Sequence, residues 1–294
     1  MILTMNKATL FKSTLQTLAI TAGLFGAVNT VSANDLANQR IISAGSAVTE
    51  LVIALDATDK LVAVDVTSRF PESNALPKIG YHRQLSAEGL IALQPTVIIG
   101  SDEMGPDSAV SQLKSANVDV QIVNTEASID GLLDRIDQIA NLTGSQNKAQ
   151  AVKKNVAEQV NALESNQVTK KDAKTVLFLL LHEGRPANVA GKETTPNAII
   201  ELAGGINPAS TLTSFKPLSM ESMVEMQPDV ILVSGRSYKK MGGADAILKS
   251  LPMLAATPAG MNKQIITVDG SALVGGLGLR SLSEAKRLNA LIYP

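Results

Sequence analysis

The chain has 294 residues, 26 basic and 27 acidic, with 45% hydrophobic residues, 3% aromatics and no cysteine. A near-neutral charge with so few rings argues against nucleic acid as a partner, since backbone phosphates need a basic field and single strands need stacking platforms. Without cysteine there are no disulfides, thiolate metal ligands or thiol nucleophiles.

Residues 1–33 read as a secretory signal. Lys7 and Lys12 make a positive start, Leu15 to Val28 is a 14-residue apolar core, and Val31-Ser32-Ala33 supplies the small residues that a signal peptidase reads. The apolar run is shorter than the roughly 18 to 20 residues that span a bilayer, so cleavage is expected rather than anchoring. The mature chain, starting near Asn34, then holds 24 basic and 27 acidic residues. It has no cysteine for a lipid at its new N-terminus, so a soluble, unanchored protein of a Gram-negative periplasm is expected. Roughly 260 remaining residues suit two domains, each with its own core.

From Arg40 onward, apolar runs alternate with amphipathic stretches. Ile41-Ile42 and Leu61 to Val64 read as strands around a helix at Thr49 to Leu55. There follow a helix Ser86 to Leu93, strand Thr96 to Ile99, helix Ser108 to Ala116, strand Val120 to Val123 and helix Ile129 to Leu142, which Gly144 stops. This alternation signals α/β folding, with a mostly parallel sheet covered by helices. Ala149, Val152, Val156, Val160 and Leu163 then form one stripe at steps of three and four, predicting a connecting helix over 145–168. It separates an N-terminal lobe, 34–144, from a C-terminal lobe, 169–294. The second lobe opens with Thr175 to Leu181, apolar throughout as a strand buried on both faces must be. A helix Pro196 to Ala203, a helix Ala244 to Leu251, a strand Ile265 to Val268 and a helix Leu282 to Ile292 complete it.

Ser86 to Ser101, SAEGLIALQPTVIIGS, returns as Ser219 to Ser234, SMESMVEMQPDVILVS, with seven of sixteen positions identical. Each copy reads as a short helix ended by Gln-Pro and followed by an apolar strand. Two copies of one unit predict two similar lobes, with a ligand cleft between them.

Catalytic patterns are weak. Gly191-Lys192 lacks the glycine of a phosphate loop, having Pro186 there, and Gly276-Leu277-Gly278 has Ser281 in place of the third dinucleotide-binding glycine. More informative is Gly80-Tyr81-His82-Arg83. In an extended segment Tyr81 and Arg83 share one side, and a guanidinium beside a phenol favours the phenolate, a hard ligand for ferric iron. The same residues also suit a surface tyrosine with a basic neighbour. His182 follows the central strand of the second lobe, where parallel sheets place ligands, and it also suits a solvated loop. Arg236, Lys239 and Lys240 follow the strand Val230 to Val233 in the same way, Arg236 nearest, as receivers for ligand carboxylates.

Through RIISAGSAVTELVIAL (Arg40 to Leu55), GYHRQLSAEGLIALQPTVIIGSDE (Gly80 to Glu103), VAGKETTPNAIIELAGG (Val189 to Gly205) and MQPDVILVSGR (Met226 to Arg236), the chain resembles the periplasmic haem-binding proteins of bacterial haem ABC importers. In that class two lobes are joined by a single helix. The resemblance implies haem b as transported cargo, with Tyr81 as axial iron ligand, Arg83 supporting it and His182 as a second axial ligand. The chain departs at Glu183-Gly184-Arg185-Pro186, where a smaller, more glycine-rich turn is expected. The resemblance further implies that Glu88 and Glu221, one per lobe, dock into an inner-membrane ABC permease driven by its ATPase, with an outer-membrane haem receptor acting upstream. A monomer that performs no chemistry on its cargo is expected. A ferric siderophore or cobalamin on the same fold is the near alternative, and a secreted hydrolase using Asp102 or Asp269 the distant one.

Overall fold

The computed structural model describes residue 36 and residues 38–169, 171–182 and 184–294; the signal segment expected over 1–33 lies outside them. Strands β1 (Ile41–Ala44), β2 (Leu61–Val64), β3 (Val97–Ser101) and β4 (Asp119–Val123) form a wholly parallel sheet in the order β2-β1-β3-β4. Every residue of β1 and β3 is buried, which follows from helices covering both faces. Those helices are α1 (Ser46–Ala54), α2 (Ala87–Ile91), α3 (Asp107–Ser115) and α4 (Ile129–Thr143). The Ser128 side chain caps α4 by accepting from Gly131 N, and Gly144, at φ 71°, ends it in the left-handed conformation glycine adopts without strain.

Helix α5 (Gln146–Ser165) is 20 residues long, about 30 Å at the standard helical rise. Its stripe divides between two cores. Ala149 and Val156 pack into the cluster built around Leu51, Ile99 and Ile136 of the first lobe, whereas Leu163 packs with Phe178, Ile199 and Leu288 of the second. The connection is therefore seated at both ends.

The second sheet comprises β5 (Val176–Leu180), β6 (Asn188–Ala190), β7 (Phe215–Pro217), β8 (Val230–Ser234) and β9 (Ile265–Val268), in the order β7-β6-β5-β8-β9. Strands β5, β8 and β9 are parallel, while β6, near one edge, pairs antiparallel with both β5 and β7. Its helices are α6 (Thr195–Leu202), α7 (Met220–Glu225), α8 (Gly235–Met241), α9 (Ala244–Ser250), α10 (Pro258–Met261) and α11 (Leu279–Ile292). Among the described residues, no helix is long and apolar enough to cross a membrane.

The repeated unit is the same structure twice. Ser86 caps α2 and Ser219 caps α7 through their hydroxyls. Shortly after each helix comes a left-handed glutamine, Gln94 at φ 49° and Gln227 at φ 42°, before the proline that admits no further turn. The following strands, β3 and β8, each lie beside the central strand of their sheet.

Beyond α5, a second element holds the lobes together. Leu277, just before α11, and Leu282, near its start, join the first-lobe core, while Ala285, Leu288 and Ile292 further along the helix join the second. Ala47 N donates to Val274 O at 3.3 Å, so the chain beyond the carboxyl end of β9 meets α1 just beyond the carboxyl end of β1. The loops beyond the carboxyl ends of β1 and β9 thus touch at this point.

Candidate functional site

In parallel sheets the loops beyond the carboxyl ends diverge where strand order reverses, leaving a crevice. That reversal falls at β1 in the first sheet, between β2 and β3, and at β5 in the second, between β6 and β8. The chain leaving β2 pairs with residues 78–80, with Ile79 N donating to Val64 O and Val66 N to Gly80 O. This pairing sets Tyr81 beside the chain that leaves the carboxyl end of β2.

The segment is a turn, not the extended run expected. Gly80 sits at φ 84°, and Gln84 N donates to Tyr81 O at 2.7 Å. Side chains still alternate in exposure: Tyr81 is 38% exposed and His82 1%, with the Arg83 side chain half exposed. Exposed Val66 stands on the strand-end segment that pairs with Gly80, adding an apolar surface.

Behind Tyr81 lies a polar network that sequence spacing did not reveal. His82 Nδ1 donates to Asp65 Oδ2 at 3.0 Å, and Asp65 also accepts from Thr67 Oγ1 and Ser68 Oγ. Ser68 Oγ lies 2.7 Å from Thr49 Oγ1, which in turn meets Ser43. On the other side, His82 Nε2 is 3.6 Å from Glu103 Oε2, a charge contact beyond hydrogen-bond range, and Glu103 pairs with Arg83. Burial alone would lower the His82 pKa, but Asp65 and Glu103 together outweigh it and hold it above the ordinary histidine value. Burial likewise pushes Asp65 up, yet hydrogen bonds from His82, Ser68 and Thr67 bring it below the usual carboxylate range. His82 first, then Arg83, lower Glu103 against an opposing burial effect.

In the second lobe, exposed His182 follows β5 and opens a turn in which Arg185 N donates to His182 O. His182 lines a cavity of about 410 Å³ with Arg185, Lys240, Leu181, Met241 and Leu251. Arg236 is exposed and is not among the lining residues. The loop expected around Arg236, Lys239 and Lys240 is helix α8, started by the Ser234 hydroxyl accepting from Ser237 N and ended by Gly242 at φ 91°. Within that helix Lys240 lies one turn beyond Arg236 and, like His182, lines the cavity. Arg185, absent from the sequence expectation, is brought in by the turn that follows β5. Tyr81 is not a wall of this cavity.

The other candidates have local roles. Glu88 and Glu221 are exposed in the first turns of α2 and α7, and neither has an ion-pair partner among the described residues. Asp102 accepts from Thr125 Oγ1, and Asp269 caps the turn at Gly270–Leu273 through Ser271.

The structure is similar to the periplasmic haem-binding protein HutB of Vibrio cholerae, at 60% identity and TM-score 0.82, covering 87% of this chain and all of that one. It is also similar to the periplasmic haem-binding protein RhuT of Roseiflexus sp. RS-1, at 34% identity and TM-score 0.81, covering 87% and 98% of the two chains. Among curated relatives, the vitamin B12-binding protein of Vibrio parahaemolyticus is 28% identical over 206 residues, which are 69% of this chain and 74% of that protein. The periplasmic binding protein pattern matches residues 41–272, a range that takes in both sheets, and the chain belongs to the periplasmic binding protein family.

Proposed function

We propose that this protein captures haem in the periplasm and passes it to an inner-membrane ABC permease with its ATPase. The observation that carries this reading is Tyr81, an exposed phenol on a turn beside the chain that leaves the carboxyl end of β2. A phenolate is an oxygen ligand suited to ferric iron, and tyrosine serves as an axial haem ligand. His182, at the corresponding edge of the second lobe, supplies an imidazole from the opposite side. Arg185 and Lys240 beside it place cations where porphyrin carboxylates need partners, between apolar walls. This donor set fits haem, and the likeness to the haem-binding proteins of Vibrio cholerae and Roseiflexus supports the choice.

No bond in the cargo changes. Tyr81 and His182 hold the iron and the two lobes exclude water around the macrocycle, while Glu88 and Glu221 meet the permease from one lobe each. Upstream, an outer-membrane haem receptor supplies the cargo. The carrier is read as a monomer, released by cleavage after residue 33 and carrying no lipid.

Hemin titration with absorbance and spin-resonance spectra tests the reading. Wild type should show tyrosinate charge-transfer features, and Tyr81→Ala should lose more than about 100-fold in affinity, exceeding the usual effect of altering a residue behind a ligand. His182→Ala should bind more weakly with an altered axial field and keep the tyrosinate features. Equal titration curves for wild type and Tyr81→Ala would overturn the assignment. The resemblance to the vitamin B12-binding protein favours a second reading, cobalamin as cargo, which predicts tight cobalamin binding and no shifted Soret band with hemin.

A further inference from the structure

We infer that His82 is a positioning residue, its buried imidazole pinned to Asp65 so that the turn at 81–84 presents Tyr81 outward before any cargo arrives. The inference rests on the haem reading above, and it concerns how the ligand is held ready rather than which atom binds.

Tyr81 and His82 are adjacent in this turn and their rings touch, so fixing one restrains the other. His82 is 1% exposed and Asp65 is fully buried, which leaves the imidazole a single inward placement. Asp65 is itself held by Thr67 and Ser68, and Ser68 by Thr49 of α1, so the anchor reaches the first-lobe core. The backbone repeats the restraint: Gly105 N donates to His82 O at 3.0 Å, and Leu85 N to Gly105 O at 2.7 Å. The rings of Tyr81 and His82 meet edge to face, their centroids 4.5 Å apart, which orients the phenol as well as its backbone. Exposed loop side chains ordinarily lose rotamer freedom on binding; one already ordered loses less, and affinity gains by the difference.

The test compares His82→Ala and His82→Asn with wild type and Tyr81→Ala, using hemin titration, the tyrosinate charge-transfer band and hydrogen exchange at the Gln84 amide of the ligand-free protein. Asparagine keeps a donor for Asp65 in nearly the same place. His82→Ala should bind hemin about tenfold more weakly, as expected for losing a buried hydrogen bond to a charged group. It should also show a weaker tyrosinate band and faster Gln84 exchange, while His82→Asn recovers most of all three. Unchanged affinity and band in His82→Ala overturn the inference and leave the haem reading standing. If the alanine variant unfolds, the asparagine variant decides: binding near wild type supports the anchor, and loss as severe as in Tyr81→Ala refutes it. Absence of hemin binding by wild type defeats the haem reading instead.

Discussion

Arg83 stands two residues from Tyr81, yet its guanidinium pairs with Glu103, so its charge is shared with a carboxylate before it can act on the phenol. Arg185 and Lys240 line the His182 cavity, whereas Arg236 lies outside it, so on the haem reading proposed above the first two are the candidates to meet cargo carboxylates. Reversing both charges with Arg185→Glu and Lys240→Glu should weaken hemin binding about tenfold at low ionic strength and less at high salt, because exposed charge pairs are screened. Arg236→Ala should stay within about threefold of wild type in the same titrations, as surface charges without close partners contribute little. Equal losses at Arg236 and at the cavity pair would return the carboxylate site to the start of α8. Sequence distance to a strand end ranked Arg236 first; the cavity beside His182 is lined by Arg185 and by Lys240, one turn further along α8.

At the level of elements, the parallel strands were legible because β1, β3, β5 and β8 are β-branched or leucine-rich runs buried on both faces. Strands β6 and β7 were not, since Asn188–Ala190 and Phe215–Pro217 are three residues each and β7 is exposed throughout, with Pro217 and Lys216 in it. An edge strand tolerates such residues, so composition does not mark it. Helix α8 has no apolar stripe; its visible signal was the cap, a serine at 234 three residues before Ser237. The Asp65–His82 pair, 17 residues apart, has no periodic mark at all. Where the sequence did announce an element twice, in α2 and α7, the structure leaves Glu88 and Glu221 solvent-facing behind serine caps. Reversing both carboxylates should abolish hemin uptake in cells while titration of the purified protein is unchanged. Each substitution should cost less than about 1 kcal/mol through the helix dipole, too little to unfold the chain. Preserved uptake would remove the docking role.

For the whole molecule, the decisive contact is the one between lobes. Arg135, fully buried on α4, donates to Leu277 O at 2.8 Å and to Asn124 O and Glu126 O. Glu50 of α1 accepts from Leu279 N and Arg280 N at the start of α11, and a Cβ at Gly278 would fall 1.9 Å from its Oε1. Burial raises Glu50 to about 7, against the lowering effect of those two backbone donors and of Arg280 and Arg135. Burial similarly draws Arg135 down to about 10. A carboxyl with a raised native pKa binds its proton more tightly folded than unfolded, so its contribution is complete below its unfolded value and shrinks as pH climbs toward 7. Between about pH 5 and about pH 6, where His82 is mostly protonated in either state, the melting temperature of wild type should therefore fall. Glu50→Gln should flatten that slope; an unchanged slope would mean that Glu50 is not the group responsible.

With α5 and α11 each rooted in both cores, a common scaffold links the lobes that carry Glu88 and Glu221, and on the proposed reading it would hold their separation whatever the crevice contains. A permease that gauges this spacing alone meets empty and loaded carriers as equals. On the docking proposed above, surplus unloaded protein would then queue for the same membrane berths, and import would slow once carrier outnumbers its freight.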